Sequence, residues 1–478
     1  MDMMLQVLAP ELLILIAAMT LLVGDTFWGH RHKALTFQLT LASIVVTALV
    51  ILASFSTTSV QLFNGAFIRD GVADVLKLSM LFMTFFAFLF ARDYLVQRNI
   101  ERGEYYVLGL LSLLGMMVLA SSYDMVTLFM GLEIMSLALY AMIAMQKDSG
   151  FAIESAMKYF VLGAMATGLL LYGMTLVYGN VGSLQFATIY QTLATTEQSL
   201  VLSLGLVFIL VGLAFKFGAA PFHNWVPDVY HGSPTGITLF LSAAPKIAAF
   251  ALMFRLLIEG LEAALMQWQS ILIILAVLSL VVGNVIAIAQ TNLKRMLAYS
   301  TISHMGFIIL GFLTGNVGGY AAAMYYVVIY ALMSLGGFAV ILALSRKGFE
   351  ADNIVDLAGL GKRNPVLALV MLVILLSMAG IPPFVGFYAK LVVLTEVVEA
   401  GLTWLAVFAV VMSVVGAYYY LRVIKVMYFD QPAAQNAHDA DFANASLRYG
   451  LILVATLVLM LGILPDGLLT LFNDVMMY

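Results

Sequence analysis

The stretch LAFKFGAAPFHNWVPD, residues 213–228, decides how this chain is organised. It places Lys216 inside a long apolar run and follows it with Gly218 and Pro221. Glycine adds backbone freedom, whereas proline removes a backbone donor and clashes with the preceding helical turn. The stretch therefore predicts a helix that is interrupted beside a buried lysine.

The composition of the whole chain indicates a protein solvated mainly by lipid. Of its 478 residues, 63% are hydrophobic and 10% are charged, whereas soluble domains are about 45–50% apolar and about 25% charged. The formal charge of −4 is too small to suggest a nucleic-acid partner. The chain has no cysteine, which excludes disulfides and cysteine-ligated iron–sulfur clusters within it. Its N-terminus has no basic segment and no cleavage site, so we expect a first span there and not a signal peptide.

Apolar runs of about 20 residues, the length that crosses a bilayer, recur along the chain. They predict an all-α polytopic membrane protein with about fourteen transmembrane helices. The predicted spans are 4–24, 34–56, 72–91, 105–121, 124–145, 156–178, 199–227, 234–258, 270–290, 296–314, 321–345, 366–399, 403–428 and 447–472.

Basic residues between the spans predict the orientation of the chain, because they accumulate in cytoplasmic loops. They concentrate in the odd-numbered loops, and among the even loops only Arg69 and, at a helix end, Arg255 depart from this. The odd-loop residues are Arg31, Lys33, Arg92, Arg98, Arg102, Lys147, Lys294, Arg295, Arg346, Lys347, Lys362, Arg363, Arg422, Lys425 and Arg448. Both termini are therefore expected on the periplasmic side of a bacterial inner membrane.

Four charged residues, Glu133, Lys216, Lys246 and Lys390, lie too deep in spans to reach water easily. A charge at a helix centre costs roughly 2.5–3.5 kcal/mol on insertion scales and usually marks an ion path or proton relay. The alternative is a static ion pair that fixes helix register. His304, within the tenth span, is as well explained by a packing role as by a relay role.

Two further lysines have simpler interpretations. Lys77 follows Asp74 by three residues, which predicts an ion pair on one helix face. Lys158 follows Glu154 by four residues near a predicted cytoplasmic end, which predicts a pair that reaches the interface. The depth and role of His223 stay open.

A second interruption, in LLSMAGIPPFVGFYAK (residues 375–390), repeats the first. It contains Gly380, Pro382 and Pro383, and Lys390 follows it. The two interrupted spans are five apart and so cross the membrane in opposite directions, which is typical of inverted-repeat transporters. The pattern predicts two inverted five-helix repeats with helices 7 and 12 broken.

The repeats give a division of the chain into four parts. The expected parts are an N-terminal three-helix segment at 1–104, a first repeat with helices 4–8 at 105–258, a second repeat with helices 9–13 at 259–428, and a polar loop with helix 14 at 429–478.

A lysine beside a broken helix suits proton transfer. Burial disfavours its charged form and a nearby carboxylate favours it, whereas an arginine could not release its proton. Backbone groups freed by the break must be satisfied by protein or water, so we expect a hydrated cavity beside Lys216. The hypothesis is a relay in which Glu133 sets the charge of Lys216 and protons pass through Lys246 and His304 to Lys390.

Four stretches in order resemble one family over essentially the whole chain: GLEIMSLALYAM, VGLAFKFGAAPFHNWVPDVYHGSPTGITLFLSAAPKIAAF, QTNLKRMLAYSTISHMGF and LSMAGIPPFVGFYAK. The chain resembles the antiporter-like membrane subunits of respiratory complex I, and is most like the subunit N group of bacterial NADH–quinone oxidoreductases. The resemblance assigns Glu133 to the helix 5 glutamate, Lys216 and Lys246 to the lysines of helices 7 and 8, and Lys390 to the terminal residue of helix 12.

The resemblance implies proton translocation driven from a distance by quinone reduction. No cofactor and no metal are expected in this chain, and NADH, FMN, iron–sulfur clusters and quinone would bind partner subunits. The expected partners are the other membrane and peripheral subunits of complex I, including neighbouring antiporter-like subunits, and the lipid bilayer. No nucleic acid is expected.

Three other functions remain open on the residues alone. A subunit of a multisubunit cation/proton antiporter would share the fold and the lysines. An assembly scaffold would hold the same charges in static pairs. A solitary transporter for an organic solute would work when expressed alone.

Overall fold

The computed structural model describes residues 2–28, 33–195, 199–431 and 445–477. Arg31 and most of the predicted polar loop at 429–444 lie outside the described residues. The α-helices are α1 (Asp2–Trp28), α2 (Lys33–Ala53), α3 (Gly71–Gln97), α4 (Gly103–Ala120), α5 (Met125–Ile143), α6 (Gly150–Val181), α7 (Phe186–Thr195), α8 (Leu200–Phe217), α9 (Trp225–Gly232), α10 (Thr235–Leu241), α11 (Ala244–Met253), α12 (Leu265–Ile288), α13 (Leu293–Phe312), α14 (Val317–Leu344), α15 (Leu360–Arg363), α16 (Pro365–Ala379), α17 (Val385–Glu399), α18 (Thr403–Phe429), α19 (Ala445–Ile463) and α20 (Asp466–Met477).

Short elements join some of these helices. A π-helical turn, Phe254–Gly260, continues α11, and 3₁₀ turns lie at Phe63–Gly65, Glu262–Ala264 and Ile354–Leu357. Strands β1 (Val60–Leu62) and β2 (Phe67–Arg69) form an antiparallel hairpin between α2 and α3, with Val60 opposite Arg69.

The all-helical membrane fold predicted from the sequence is confirmed. Twelve helical segments of the described residues are long and apolar enough to cross a membrane. The two other predicted crossings are α13, whose first turn carries Lys294 and Arg295, and the interrupted pair α16 and α17.

The predicted last span, 447–472, is wrong in its extent. Helix α19 ends at Ile463 and a separate helix, α20, begins at Asp466. Pro465 lies between them, and because proline has no backbone N–H and restricts the residue before it, it separates the two helices. Helix α20 buries Phe472 and Val475 and exposes much of its other face.

Helix pairs at the start of each predicted repeat pack through glycine. A Cβ added to Gly115 of α4 would lie 2.4 Å from the Met135 backbone nitrogen of α5, and one added to Gly283 of α12 would lie 2.5 Å from the Ser303 nitrogen of α13. Small residues permit such backbone approach in membrane helices. The second helix of each pair begins at a capping side chain, Asp124 for α5 and Asn292 for α13.

The centre of the molecule is formed by α10, α11 and α14, in which almost every residue is buried. Helices α1, α2, α18 and α19 instead turn much of their apolar surface outward. The two basic residues assigned to the even loops are also buried: Arg69 Nε lies 3.0 Å from Asp74 Oδ1, and Arg255 Nη2 lies 2.8 Å from Asp70 Oδ1. Their charges are therefore paired within the protein, which explains why they depart from the loop pattern.

Candidate functional site

The first break has a glycine-terminated helix end. Helix α8 ends at Phe217, and Gly218 takes the left-handed conformation with φ 77°. The Gly218 N–H donates to Phe215 O at 2.9 Å and the Ala219 N–H donates to Ala214 O at 2.8 Å, the pairing that satisfies terminal carbonyls in a Schellman motif. The Ala220–Pro221 peptide is cis, and the helix resumes with α9 at Trp225.

The second break reproduces this backbone. Helix α16 ends at Ala379 and Gly380 has φ 82°. The Gly380 N–H donates to Ser377 O at 2.9 Å and the Ile381 N–H donates to Leu376 O at 3.1 Å. The Pro382–Pro383 peptide is cis, three residues after the glycine as in the first break.

Lys246, from α11, contacts the first break. Its Nζ donates to Phe217 O, the last residue of α8, at 3.1 Å and lies 5.0 Å from the centre of the Trp225 ring. Trp225 in turn donates from Nε1 to Phe215 O at 2.8 Å and stacks on Tyr159. The indole therefore donates to one carbonyl near the end of α8 and places its ring beside the Lys246 ammonium.

Lys216 points away from the break that follows it. Its Nζ donates to Ser136 Oγ of α5 at 3.0 Å, and Ser136 lies one turn after Glu133 on the same helix. Glu133 is half-buried and acts on Lys216 electrostatically. The Ser136 hydroxyl therefore accepts the hydrogen bond of the Lys216 ammonium one helical turn away from Glu133.

Lys216 and Lys246 line the same cavity. Its volume is about 10 Å³, and Met135, Tyr159 and Trp225 complete much of its wall. A cavity of roughly 10–15 Å³ holds about one water molecule. The cavity expected beside Lys216 is therefore present but small.

Lys390, from α17, reaches back to the second break. Its Nζ donates to Met378 O at 3.1 Å, to Ala379 O at 3.0 Å and to Ser413 Oγ of α18 at 2.8 Å. It lies at the floor of a cavity of about 340 Å³ between α17 and α18, whose rim includes the exposed Val414. The negative end of the α16 dipole favours a cation at this point.

His304 lies deep between α13, α14 and α18. Its Nδ1 is 2.8 Å from the Tyr326 hydroxyl and its Nε2 is 3.1 Å from the Tyr420 hydroxyl. Lys390 acts electrostatically on His304. The structure thus gathers the predicted residues into two groups, one with Glu133, Lys216 and Lys246 and the other with His304 and Lys390.

Comparison with known proteins shows the family of the chain. A family profile described as "NADH:quinone oxidoreductase/Mrp antiporter, TM" matches residues 122–416. The chain is 52% identical to the NADH-quinone oxidoreductase subunit N of Hydrogenovibrio crunogenus over 97% of this chain and 96% of that protein. The chain belongs to this family.

Solved structures share the fold of this family member. One chain of respiratory complex I from Thermus thermophilus with bound aureothin is 33% identical, with a TM-score of 0.81 over 96% of this chain and 98% of that one. A chain of the Mrp complex from Dietzia sp. DQ12-45-1b has a TM-score of 0.85 over 98% of this chain and 97% of that one, but at 20% identity it shows only the fold.

One sequence-based pairing in this family member is wrong. Lys77 Nζ lies 2.6 Å from Glu11 Oε1 of α1, and Asp74 pairs instead with Arg69 of β2. Packing of α1 and the hairpin against α3 offers each residue a partner distant in sequence.

The predicted ion pair between Lys158 and Glu154 is present, and Asp228 joins it as a second carboxylate. Lys158 Nζ lies 2.8 Å from Glu154 Oε1 and also 2.8 Å from Asp228 Oδ2, while Arg295 binds the other Asp228 oxygen at 2.8 Å. His223 lies half-buried in the first break, with its ring 6.4 Å from that of Tyr299.

Several residues of the site were not singled out from the sequence: Ser136, Trp225, Ser300, Tyr326, Ser413 and Tyr420. Each has a polar side-chain group and contacts a predicted residue or its neighbour. A pattern that could have indicated some of them is the clustering of tyrosine within spans, in YYVVIY at 325–330 and YYY at 418–420. Among the described residues, no group of histidine, aspartate and glutamate could hold a metal ion.

Proposed function

We propose that this chain is the N-type, proton-translocating membrane subunit of an NADH–quinone oxidoreductase in a bacterial inner membrane. Its partners are the other membrane and peripheral subunits of that complex, including neighbouring antiporter-like subunits. NADH, FMN, iron–sulfur clusters and quinone bind in those partners, and this chain moves protons in response to quinone reduction. The 52% identity to a subunit N favours this function over that of a multisubunit cation/proton antiporter.

The observation that supports proton transfer most directly is the shared cavity of Lys216 and Lys246. The two ammonium groups come from different helices, and each has an oxygen partner, Ser136 Oγ or Phe217 O. Such oxygens stabilise a charged lysine, whereas the apolar wall stabilises a neutral one. A proton can therefore reside on either amine, and the cavity between them has room for about one water molecule.

The roles of the relay residues follow from their positions. Glu133 sets the charge of Lys216, Lys216 exchanges a proton with Lys246, and His304 and Lys390 continue the path in the second half. Gly218, Pro221, Gly380, Pro382 and Pro383 end the helices so that carbonyl oxygens face Lys246 and Lys390.

The repeats and the orientation form part of the same proposal. The segments are 1–104, 105–258, 259–428 and 429–478, and the matching breaks and glycine-packed helix pairs support the two central ones. Both termini face the periplasm, since Arg98, Lys147, Lys294 and Arg363 lie at or near the opposite ends of the spans.

The test uses membranes that contain Lys216→Met in the assembled oxidoreductase. Methionine preserves side-chain volume but cannot carry a proton. We expect the complex to assemble on a native gel and NADH-driven proton uptake to fall at least ~10-fold, because one positioned proton carrier typically contributes about 10²–10⁴-fold.

The control is Lys147→Met, which removes an exposed lysine in the loop between α5 and α6. It should leave assembly and proton uptake unchanged. Full proton uptake by assembled Lys216→Met would show that the lysine is a static structural charge.

A further inference from the structure

His304 is the centre of a continuous chain of buried polar groups. The Ser300 hydroxyl contacts the Tyr420 hydroxyl, which is 3.1 Å from His304 Nε2, and His304 Nδ1 is 2.8 Å from the Tyr326 hydroxyl. All four side chains are at most 3% exposed. We call these four residues the His304 chain.

Each member of the His304 chain can both donate and accept a hydrogen bond. A hydroxyl has one proton and two lone pairs, and a neutral imidazole has one N–H and one bare nitrogen. The chain therefore has two polarities. With the proton on Nε2, His304 donates to Tyr420 and accepts from Tyr326; with the proton on Nδ1, both directions reverse.

We propose that the His304 chain is a proton wire, in which Tyr326, Tyr420 and Ser300 carry protons together with His304. A proton accepted by the Tyr326 oxygen displaces that hydroxyl's own proton to Nδ1. The Nε2 proton then passes to the Tyr420 oxygen, the Tyr420 proton passes to Ser300, and Ser300 releases its own. One proton enters, one leaves, and the chain keeps its net charge with its polarity reversed.

Lys390 lies where its charge can act on this wire. Its ammonium is 5.3 Å from the centre of the Phe307 ring, and Phe307 stacks on Tyr326 with ring centres 5.7 Å apart and an interplanar angle of 8°. A positive charge there repels a second positive charge on His304, and the wire operates with a neutral imidazole. The inference rests on the proposed function, since it needs protons to pass through Lys390.

The two tyrosines can be tested against a neighbour of the same type. Tyr325 precedes Tyr326 on α14, is fully buried, and packs its ring near Phe472 and not against His304. In the assembled oxidoreductase, Tyr326→Phe and Tyr420→Phe each remove one hydroxyl of the wire, whereas Tyr325→Phe removes a hydroxyl outside it.

The readouts are native-gel assembly, the rate of NADH-driven proton uptake and the ratio of protons taken up to NADH oxidised. We expect all three variants to assemble. Tyr326→Phe and Tyr420→Phe should lower the ratio, and should lower proton uptake at least ~10-fold, because one positioned proton carrier typically contributes about 10²–10⁴-fold. Tyr325→Phe should change neither. Normal uptake and ratio in both wire variants would overturn the proposal.

Ser300 provides a second test if a tyrosine variant does not assemble. Ser300→Thr retains the hydroxyl and should retain more than half of the proton uptake, whereas Ser300→Ala should lose it. Equal uptake by the two variants would overturn the wire. Lys390→Met, measured in parallel, distinguishes the proposed function from the proton wire. Normal proton uptake by Lys390→Met would contradict the proposed function itself. A loss of uptake in Lys390→Met alone, with normal uptake in the wire variants, would contradict only the wire.

Discussion

The two breaks have the same backbone but hold their lysines differently. In each, a left-handed glycine ends a helix and a cis-proline follows three residues later. At the first break the cation at the helix end is Lys246, from another span, while Lys216 turns to Ser136. At the second break Lys390, from the same interrupted span, bonds both terminal carbonyls and Ser413.

The cavities that the lysines line at the two breaks also differ in volume. The first pair lines a cavity of about 10 Å³, whereas Lys390 lines one of about 340 Å³ that reaches the exposed side of α18. One backbone motif thus supplies acceptor carbonyls at two places, and the packing of neighbouring helices decides whether the amine that bonds them comes from another span, as Lys246 does, or from the interrupted span itself, as Lys390 does. The first site suits transfer between lysines, and the second suits exchange with a group outside the chain.

The largest effect is expected from removing the amine that contacts the first break. Lys246→Met should reduce NADH-driven proton uptake at least ~10-fold, because no other lysine bonds Phe217 O among the described residues. One positioned proton carrier typically contributes about 10²–10⁴-fold. The measurement is proton uptake by membranes in which a native gel shows the assembled complex. Proton uptake near that of the Lys147→Met control would show that Lys246 is not part of the relay and that the two breaks do not share a role.

An intermediate effect is expected from the two break glycines. Alanine at either position should cost about 1–2 kcal/mol, the usual penalty for the left-handed conformation. At Gly218 the added Cβ would lie 2.5 Å from Val226 Cγ2 and 3.7 Å from Lys246 Nζ, whereas at Gly380 it would lie 2.9 Å from Lys390 Cδ and 3.1 Å from its Nζ.

We therefore expect both glycine variants to lower the temperature at which the solubilised complex dissociates, and Gly380→Ala to lower proton uptake further than Gly218→Ala does. Dissociation temperature and proton uptake should be measured on the same preparations. A larger loss of uptake in Gly218→Ala would contradict the assignment of Lys390 as the lysine in direct contact with its glycine.

The smallest effects are expected from the two serines. Ser136→Ala removes one hydrogen bond of the Lys216 amine, and a typical hydrogen bond contributes about 0.5–1.5 kcal/mol net. Ser413→Ala leaves Lys390 two carbonyl partners, so its effect should be at most about 1 kcal/mol. Rates of proton uptake should fall more in Ser136→Ala, and the reverse order would show that Ser413 contributes more than the carbonyls do.

The sequence by itself determined the membrane class, the crossings, the two interruptions and the deep charged residues. These features are local, because apolar runs set span length and glycine with proline ends a helix wherever it stands. The Lys158–Glu154 pair is local too, since residues four apart share a helix face.

Only the tertiary structure decided which groups meet. Lys216 lies two residues before Gly218, yet its partner is on α5, and the lysine at that break comes from α11. Lys77 binds Glu11 of α1 and not Asp74, and the tyrosines around His304 come from α14 and α18. The physical reason is that a buried polar group takes the partner that helix packing brings within reach, and that packing depends on close contacts between helices far apart in the chain.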